Sequence, residues 1–306
     1  MSKRYLVRRL IQIPFTILGI LTIIFFLMRL SGDPATLFAS QNASVEDLAA
    51  IRERMGFNDP LIVQYGRFLL DILRGDFGNS LRYDQSAFWL IARRIPATLK
   101  LAFASLLFSV LIGVPVGVVS ALKRDSFIDK LSMLFVLIGQ GAPVFWIGIM
   151  FIMIFSLQLK WFPASGDGSF KHIILPSFTL GLFFAARIAR FTRSSIIEVK
   201  HEHYIRTAQY KGLTPKGVFY KHIAKNAAIP VITIIGLSLP SLIGGAVMVE
   251  SIFAWPGFAG FIVTAVSNRD YPVVQSGVLF MAIFVAIINL LVDVIYCLLD
   301  PRITYD

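Results

Sequence analysis

One cysteine, four histidines and a charged fraction of 15% are what this 306-residue chain has little of. Each shortage removes a class of protein. Cys297 lies in an apolar run with no second cysteine to meet, so a disulfide scaffold is excluded. Soluble domains carry about 25% charged residues. With 56% apolar residues and 27 phenylalanines, this chain has too few charges to coat a surface in water, and disorder and collagen-like repeats fall with the same composition. No G-x-x-x-x-G-K-[ST] is present, so the chain has no phosphate cradle of that kind. His201 and His203 diverge on a helix at i, i+2, which argues against a metal site. No cluster of His, Asp, Glu or Ser converges as a membrane enzyme would require.

What the chain does have is long apolar runs. A hydrocarbon core of about 30 Å takes roughly 20 apolar residues in a helix. Leu10–Leu30, Leu101–Leu122, Leu131–Leu159, Ile229–Val249 and Val278–Leu299 meet or approach that length. A sixth run, His172–Phe191, is weaker because Arg187 and Arg190 interrupt its far end, as in a helix that leaves the membrane while still helical. The first run is longer than the apolar region of a cleavable signal peptide and has a poor cleavage site at Arg29 to Pro34, so it is expected to stay as a span.

Six spans put both termini on one side. That side then carries seventeen Lys and Arg against ten on the other, and seven of the ten fall in the 31–97 segment, where eight acidic residues outnumber them. Basic residues accumulate on the cytoplasmic side. The expected fold is therefore an all-α integral membrane protein with six transmembrane helices, cytoplasmic N- and C-termini, and a helical extracytoplasmic insertion between spans 1 and 2. Its parts are residues 1–30 (N-terminus and first span), 31–97 (the insertion) and 98–306 (a core holding spans 2 to 6).

In the insertion, Ser44 to Asp47 resembles a capping box, a helix Val45–Met55 follows, and Gly56 stands where a left-handed C′ residue belongs. A second helix is expected from an Asp59 cap and Pro60 at N1 to Arg74-Gly75, with Leu61, Tyr65, Phe68, Leu69 and Ile72 as its apolar stripe. In the 187–228 segment, a basic helical pattern from Glu198 to Lys211 stops at Gly212. Thr214 and Pro215 then offer an N-cap and N1 for a helix through Asn226. A short basic helix–turn–helix between two spans docks a soluble partner better than it reads DNA; no nucleic acid is expected.

Tyr204-Ile-Arg-Thr-Ala-Gln-Tyr-Lys-Gly212, with Lys221-His222 and Asn226 to Pro230, resembles the EAA cytoplasmic loop of bacterial ABC importer permeases. The likeness is to the peptide and nickel branch, dipeptide and oligopeptide permeases included. It runs along nearly the whole chain, through Gly32-Asp33-Pro34, Gly75 to Ser80, Pro143-Val-Phe-Trp146, Leu175-Pro176, Arg190 to Ser195, Val249-Glu250, Phe253, Pro256-Gly257, Arg269-Asp-Tyr-Pro272 and Asp300-Pro301-Arg302. There are departures. Arg206-Thr207-Ala208 stands in the place of Glu-Ala-Ala, Ala259 where a second Gly is common, and Gly141 where a Ser is common.

The resemblance implies one of two paired permease subunits in a bacterial inner membrane, served by two cytoplasmic ATPase subunits and an external solute-binding protein. ATP and Mg would be held by the ATPases, and this chain would carry no cofactor and no catalytic residue. Within an EAA loop at 198–230, Tyr204, Arg206, Thr207, Ala208, Lys211, Gly212, Lys221, His222 and Asn226 are the implied coupling residues. Asp33, Gly75, Asp76, Arg269 and Asp270 are candidates for docking the binding protein. Pro143, Phe145, Trp146, Gly236, Pro240, Gly244 and Glu250 are candidates for a path or gate. Gly236, Pro240 and Gly244, like Gly113, Pro115 and Gly117, loosen helices, which fits either close packing or a wet cavity. Asn289 and Asp293 in the last span fit structural pairing better than solute binding.

The family implies peptides as solute, with nickel chelates, glutathione, haem and oligosaccharides as the alternatives. A stand-alone secondary transporter is the competing class. It would show more spans, internal repeats and ionisable residues at mid-membrane.

Overall fold

The computed structural model describes residues 3–30, 44–54 and 56–299, and every regular element among them is helical. Hydrocarbon offers no partner to a backbone N–H or C=O, so an apolar chain satisfies them within its own helices. The order is α1 (Lys3–Leu30), α2 (Val45–Arg54), α3 (Leu61–Leu73), α4 (Ala87–Ala92), α5 (Ile95–Leu122), α6 (Phe127–Gly141), α7 (Val144–Phe151), α8 (Phe170–Lys200), α9 (His203–Tyr210), α10 (Pro215–Val218), α11 (Ala224–Ile252), α12 (Phe258–Ser267) and α13 (Tyr271–Leu299). Wider π turns extend α7 through Ile152–Gln158 and join α10 to α11 through Phe219–Ile223. Among the described residues, five helical stretches are long and apolar enough to cross a membrane, or six when α6 and α7 are counted as one broken span.

The third apolar run, Leu131–Leu159, is not one continuous helix: α6 and the α7 stretch meet at 107°. Pro143 supplies the reason. It has no N–H for the helical ladder, and its ring pushes Ala142 to an extended backbone at φ −81°, ψ 135°. Two further boundaries move. Glu198 to Lys200 belong to the end of α8 rather than to the loop helix, and the helix starting at Pro215 does not stop at Asn226 but runs on through the π turn to Ile252.

The chain forms two compact units, Ala97–Pro256 with Ile288–Tyr305 and Ser2–Pro96 with Gly257–Ile287. At the centre of the first lies α8, the run weakest in hydropathy, with 67% of its most apolar window buried against 17–33% for the other four spans. It packs against α11, α6 and α7. A helix enclosed by protein needs small residues more than apolar ones, and α8 presents Gly181, Ala185, Ala186 and Ala189 to its neighbours. Leu101, Leu180, Leu242, Val249 and Phe253 complete the core beside it.

In the second unit α1 lies on α3. Phe25 is buried between Tyr65 and Phe68, with ring centroids 5.3 Å away in each case, and Thr22 Oγ1 meets Tyr65 Oη at 2.6 Å. Gly56 takes the left-handed turn expected after α2, at φ +67°. Asp59 does not cap α3; its carboxylate pairs with Arg67 at 2.6 Å, and Pro60 occupies the N-cap position. Met55 and the side chain of Asp47, to which the first capping expectation refers, lie outside the described residues.

Candidate functional site

The bend after α8 is built from local chemistry. Helix α9 ends in a Schellman closure: Gly212 N–H donates to Gln209 O at 2.9 Å, and Leu213 N–H to Ala208 O at 3.4 Å. Gly212 sits at φ +82°, and nothing lies within 4 Å of where a Cβ would be, so the requirement here is backbone conformation and not space. Thr214 then caps the next helix by accepting from Gly217 N–H at 3.3 Å, with Pro215 at N1.

Two faces result. Ile205 and Ala208, three residues apart, turn inward on Ile196, Ala121, Val218 and Ile223. Tyr204, Arg206, Thr207, Lys211 and Gly212 are exposed with Tyr210, and Lys221 and Asn226 are exposed further on. His222 is half-buried. Asn226 Nδ2 donates to His222 O at 2.7 Å inside the π turn. Ala208 is therefore a core residue of the bend, while its neighbours present cations and aromatic rings outward.

The bend is anchored by residues that the sequence reading passed over. Arg193, on α8, lays its guanidinium edge on Asp129, with Nε to Oδ1 at 2.9 Å and Nη2 to Oδ2 at 2.8 Å. Asp129 is buried in the first turn of α6 and also accepts from Ser120 Oγ on α5 at 2.5 Å and from Asp125 N–H at 3.0 Å. Those four bonds fill the four acceptor sites of a carboxylate. Asp129 is also the N3 residue of a Ser126 cap. Ser-x-x-Asp is the one local signal of it that the sequence carries.

The path and gate candidates divide. Pro143, Phe145 and Trp146 are exposed beside the 107° break. Gly236 and Pro240 are half-buried and Gly244 is exposed, one turn apart in succession along α11. Glu250 is instead enclosed, accepting from Thr98 Oγ1 at 2.5 Å, and Trp255 Nε1 donates to Ala97 O at 2.9 Å close by in sequence, so α5 and the end of α11 are joined there. Gly113 and Gly117 face the backbone of α8, and Gly245 faces Leu180 Cδ1 at 2.9 Å from its added Cβ, which is close packing. Asp293 is buried and Asn289 exposed.

Asp33 lies outside the described residues. Of the other docking candidates, Gly75 is the left-handed residue closing α3 at φ +78°, and Asp76 Oδ1 accepts from Gly78 N–H at 2.9 Å in the turn that follows. Arg269 is exposed at φ +54°. Asp270 is buried, accepting from Ser80 Oγ and, at 3.2 Å, from Leu81 N–H. A cleft of about 240 Å³ in the same unit is lined by Arg29, Phe57, Arg67, Asp71 and Tyr271, among others.

Residues 113–305 match the family described as "Binding-protein-dependent transport system inner membrane component", and residues 2–102 match the description of its N-terminal region. The chain is 40% identical to the dipeptide transport system permease protein DppB of Alkalihalophilus pseudofirmus, covering 98% of this chain and 99% of that protein. It is also 40% identical to the glutathione transport system permease protein GsiC of Salmonella paratyphi A, with the same coverage. Among solved structures, the membrane chain of an inward-facing MetNI methionine ABC transporter superposes with a TM-score of 0.56 at 20% identity, over 69% of this chain and 97% of that one. That likeness is one of fold.

Proposed function

The chain belongs to the binding-protein-dependent transport system inner membrane components, and we propose that it lines, together with a second permease subunit, the path by which an ATP-driven importer takes up peptides. The bend at 198–230 is the observation that carries the coupling part of this reading. Its inner face is a small apolar core and its outer face a row of exposed Tyr204, Arg206, Thr207, Tyr210 and Lys211, closed by Gly212. Such a surface fits a cleft with acidic and apolar walls on a soluble ATPase. Closure of two ATPase subunits on ATP would displace α9, and a packed inner face passes the displacement on instead of absorbing it.

The excess of Lys and Arg supports cytoplasmic termini and an extracytoplasmic 31–97 segment, where a binding protein would deliver solute. Gly75, Asp76 and Arg269, close to turns in the second unit, are its proposed contacts, and Asp270 holds one of those turns in place. Pro143, Phe145, Trp146 and Gly244, all exposed in this subunit, are the proposed path-facing residues. ATP and Mg would be bound by the ATPases, and this chain contributes no catalytic group. Dipeptide and glutathione permeases among the relatives support peptides as the solute.

Reconstitution in proteoliposomes with the partner permease, the ATPase pair and the binding protein tests the proposal. ATP-dependent accumulation of labelled dipeptide inside the vesicles is the expected result. Uptake by this chain alone without ATP would overturn it, and uptake of a nickel chelate, haem or an oligosaccharide in place of peptide would reassign the solute.

A further inference from the structure

Arg193 stands two turns before the end of α8, which leads through His201 and Glu202 into the α9 helix of the bend. Its fork holds both oxygens of Asp129, at the start of α6, and Ser120 holds the same carboxylate from the last turn of α5. Three helix ends therefore meet on one carboxylate. Asp129 is buried and the Arg193 side chain is only 23% exposed, so water does little to weaken the pair. A planar guanidinium on a carboxylate fixes orientation as well as distance, which a single-point lysine contact does not. Apolar contacts among Ala121, Ile196, Ile205 and Val218 fill the bend beside it without a preferred direction, and the ion pair adds the direction.

We propose that Arg193 and Asp129 are positioning residues of the coupling machinery: their ion pair, braced by Ser120, locks the bend-bearing end of α8 to the ends of α5 and α6. When the ATPases displace α9, these three helix ends move as one body, and the displacement reaches the α6–α7 break without being lost in the loop. The inference rests on the bend being the coupling element.

The test uses the assembled importer in a Cys297→Ser background, with spin labels on the exposed positions Phe127 and Lys200. In the otherwise wild-type complex, the label separation is expected to stay within about 2 Å between nucleotide-free and ATP-bound states, the scale of small helix shifts. Arg193→Gln is expected to make that separation ATP-dependent and to lower binding-protein-stimulated ATP hydrolysis at least about tenfold. Arg193→Lys, which keeps the charge and loses the fork, is expected to fall between the two and decides the matter where the glutamine variant does not assemble. A wild-type separation that shifts by about a helical turn on ATP binding overturns the proposal. So does either assembled variant with a constant separation and full stimulation. A wild-type complex with no binding-protein-stimulated hydrolysis would instead overturn the functional reading on which the inference rests.

Discussion

A Cβ built on Gly117 would lie 2.5 Å from the carbonyl oxygen of Ala189, and one on Gly113, a turn earlier, 2.6 Å from that of Ala185. The obstacle in each case is backbone, which cannot swing aside, so α5 and α8 touch along a stripe where only glycine fits. Gly117→Ala is expected to lower resistance to unfolding by about 1–3 kcal/mol, the usual cost of overpacking. Gly244→Ala should leave it unchanged or raise it slightly, since nothing lies within 4 Å there and alanine is the better helix former. Unfolding titrations of the two purified variants check the contrast.

At Gly212 the constraint is of the other kind. With open space around it and φ at +82°, substitutions should rank by tolerance of the left-handed conformation and not by size. Gly212→Asn is expected to do least harm, Gly212→Ala to cost about 1–2 kcal/mol, and Gly212→Val to cost more. Binding-protein-stimulated ATP hydrolysis in the reconstituted complex should follow the same order. Valine performing as well as asparagine would show that the bend does not depend on this backbone angle.

These two glycines show what was legible in the sequence. Gly212, Thr214 and Pro215 act within four residues of one another, and local chemistry predicts their turn. Gly117 fits either close packing or a wet cavity in the sequence, because the obstacle that decides for packing, Ala189, is 72 residues away. Pro143 was visible, but the apolar residues on both sides of it hid the 107° break. The low hydropathy of His172–Phe191 looked like a marginal span; it reflects enclosure by protein, since hydropathy reports contact with lipid and not depth in the membrane. Arg193 and Asp129 lie 64 residues apart, and nothing in the sequence around either one points to the other. Their pairing is a fact of helix packing that no local pattern encodes.

Asp270 and Ser80, 190 residues apart, share a buried hydrogen bond in the second unit. The carboxylate also takes Leu81 N–H, while Ser80 Oγ accepts from Arg82 and Tyr83 N–H at 3.2 and 3.1 Å. Asp270→Ala removes the outer support of that chain of bonds and leaves buried donors unmatched, at about 1–3 kcal/mol. Hydrogen exchange at the Leu81, Arg82 and Tyr83 amides should then accelerate, while amides in α8, in the other unit, keep their rates. Unchanged exchange at these three amides would mean that the turn is held by other contacts.

The two faces of α9 should answer differently to substitution. Ile205 is 1% exposed in the core of the bend, whereas Tyr210 is 89% exposed beside Arg206 and Lys211. Ile205→Asp places an unpaired charge among Ile196, Val218 and Ile223, a change that unfolds the bend and lowers the yield of the chain itself. Tyr210→Ala removes no internal contact of that core, so yield and unfolding should match wild type. Exposed aromatic residues are strong anchors when a partner covers them, with typical losses of about 2 kcal/mol or more on truncation. Co-purification of the ATPase subunits with Tyr210→Ala is therefore expected to drop at least about tenfold at equal chain yield, as that loss implies. Full retention of the ATPases would move the docking surface away from this helix and toward the exposed Lys216 and Tyr220 of the next one.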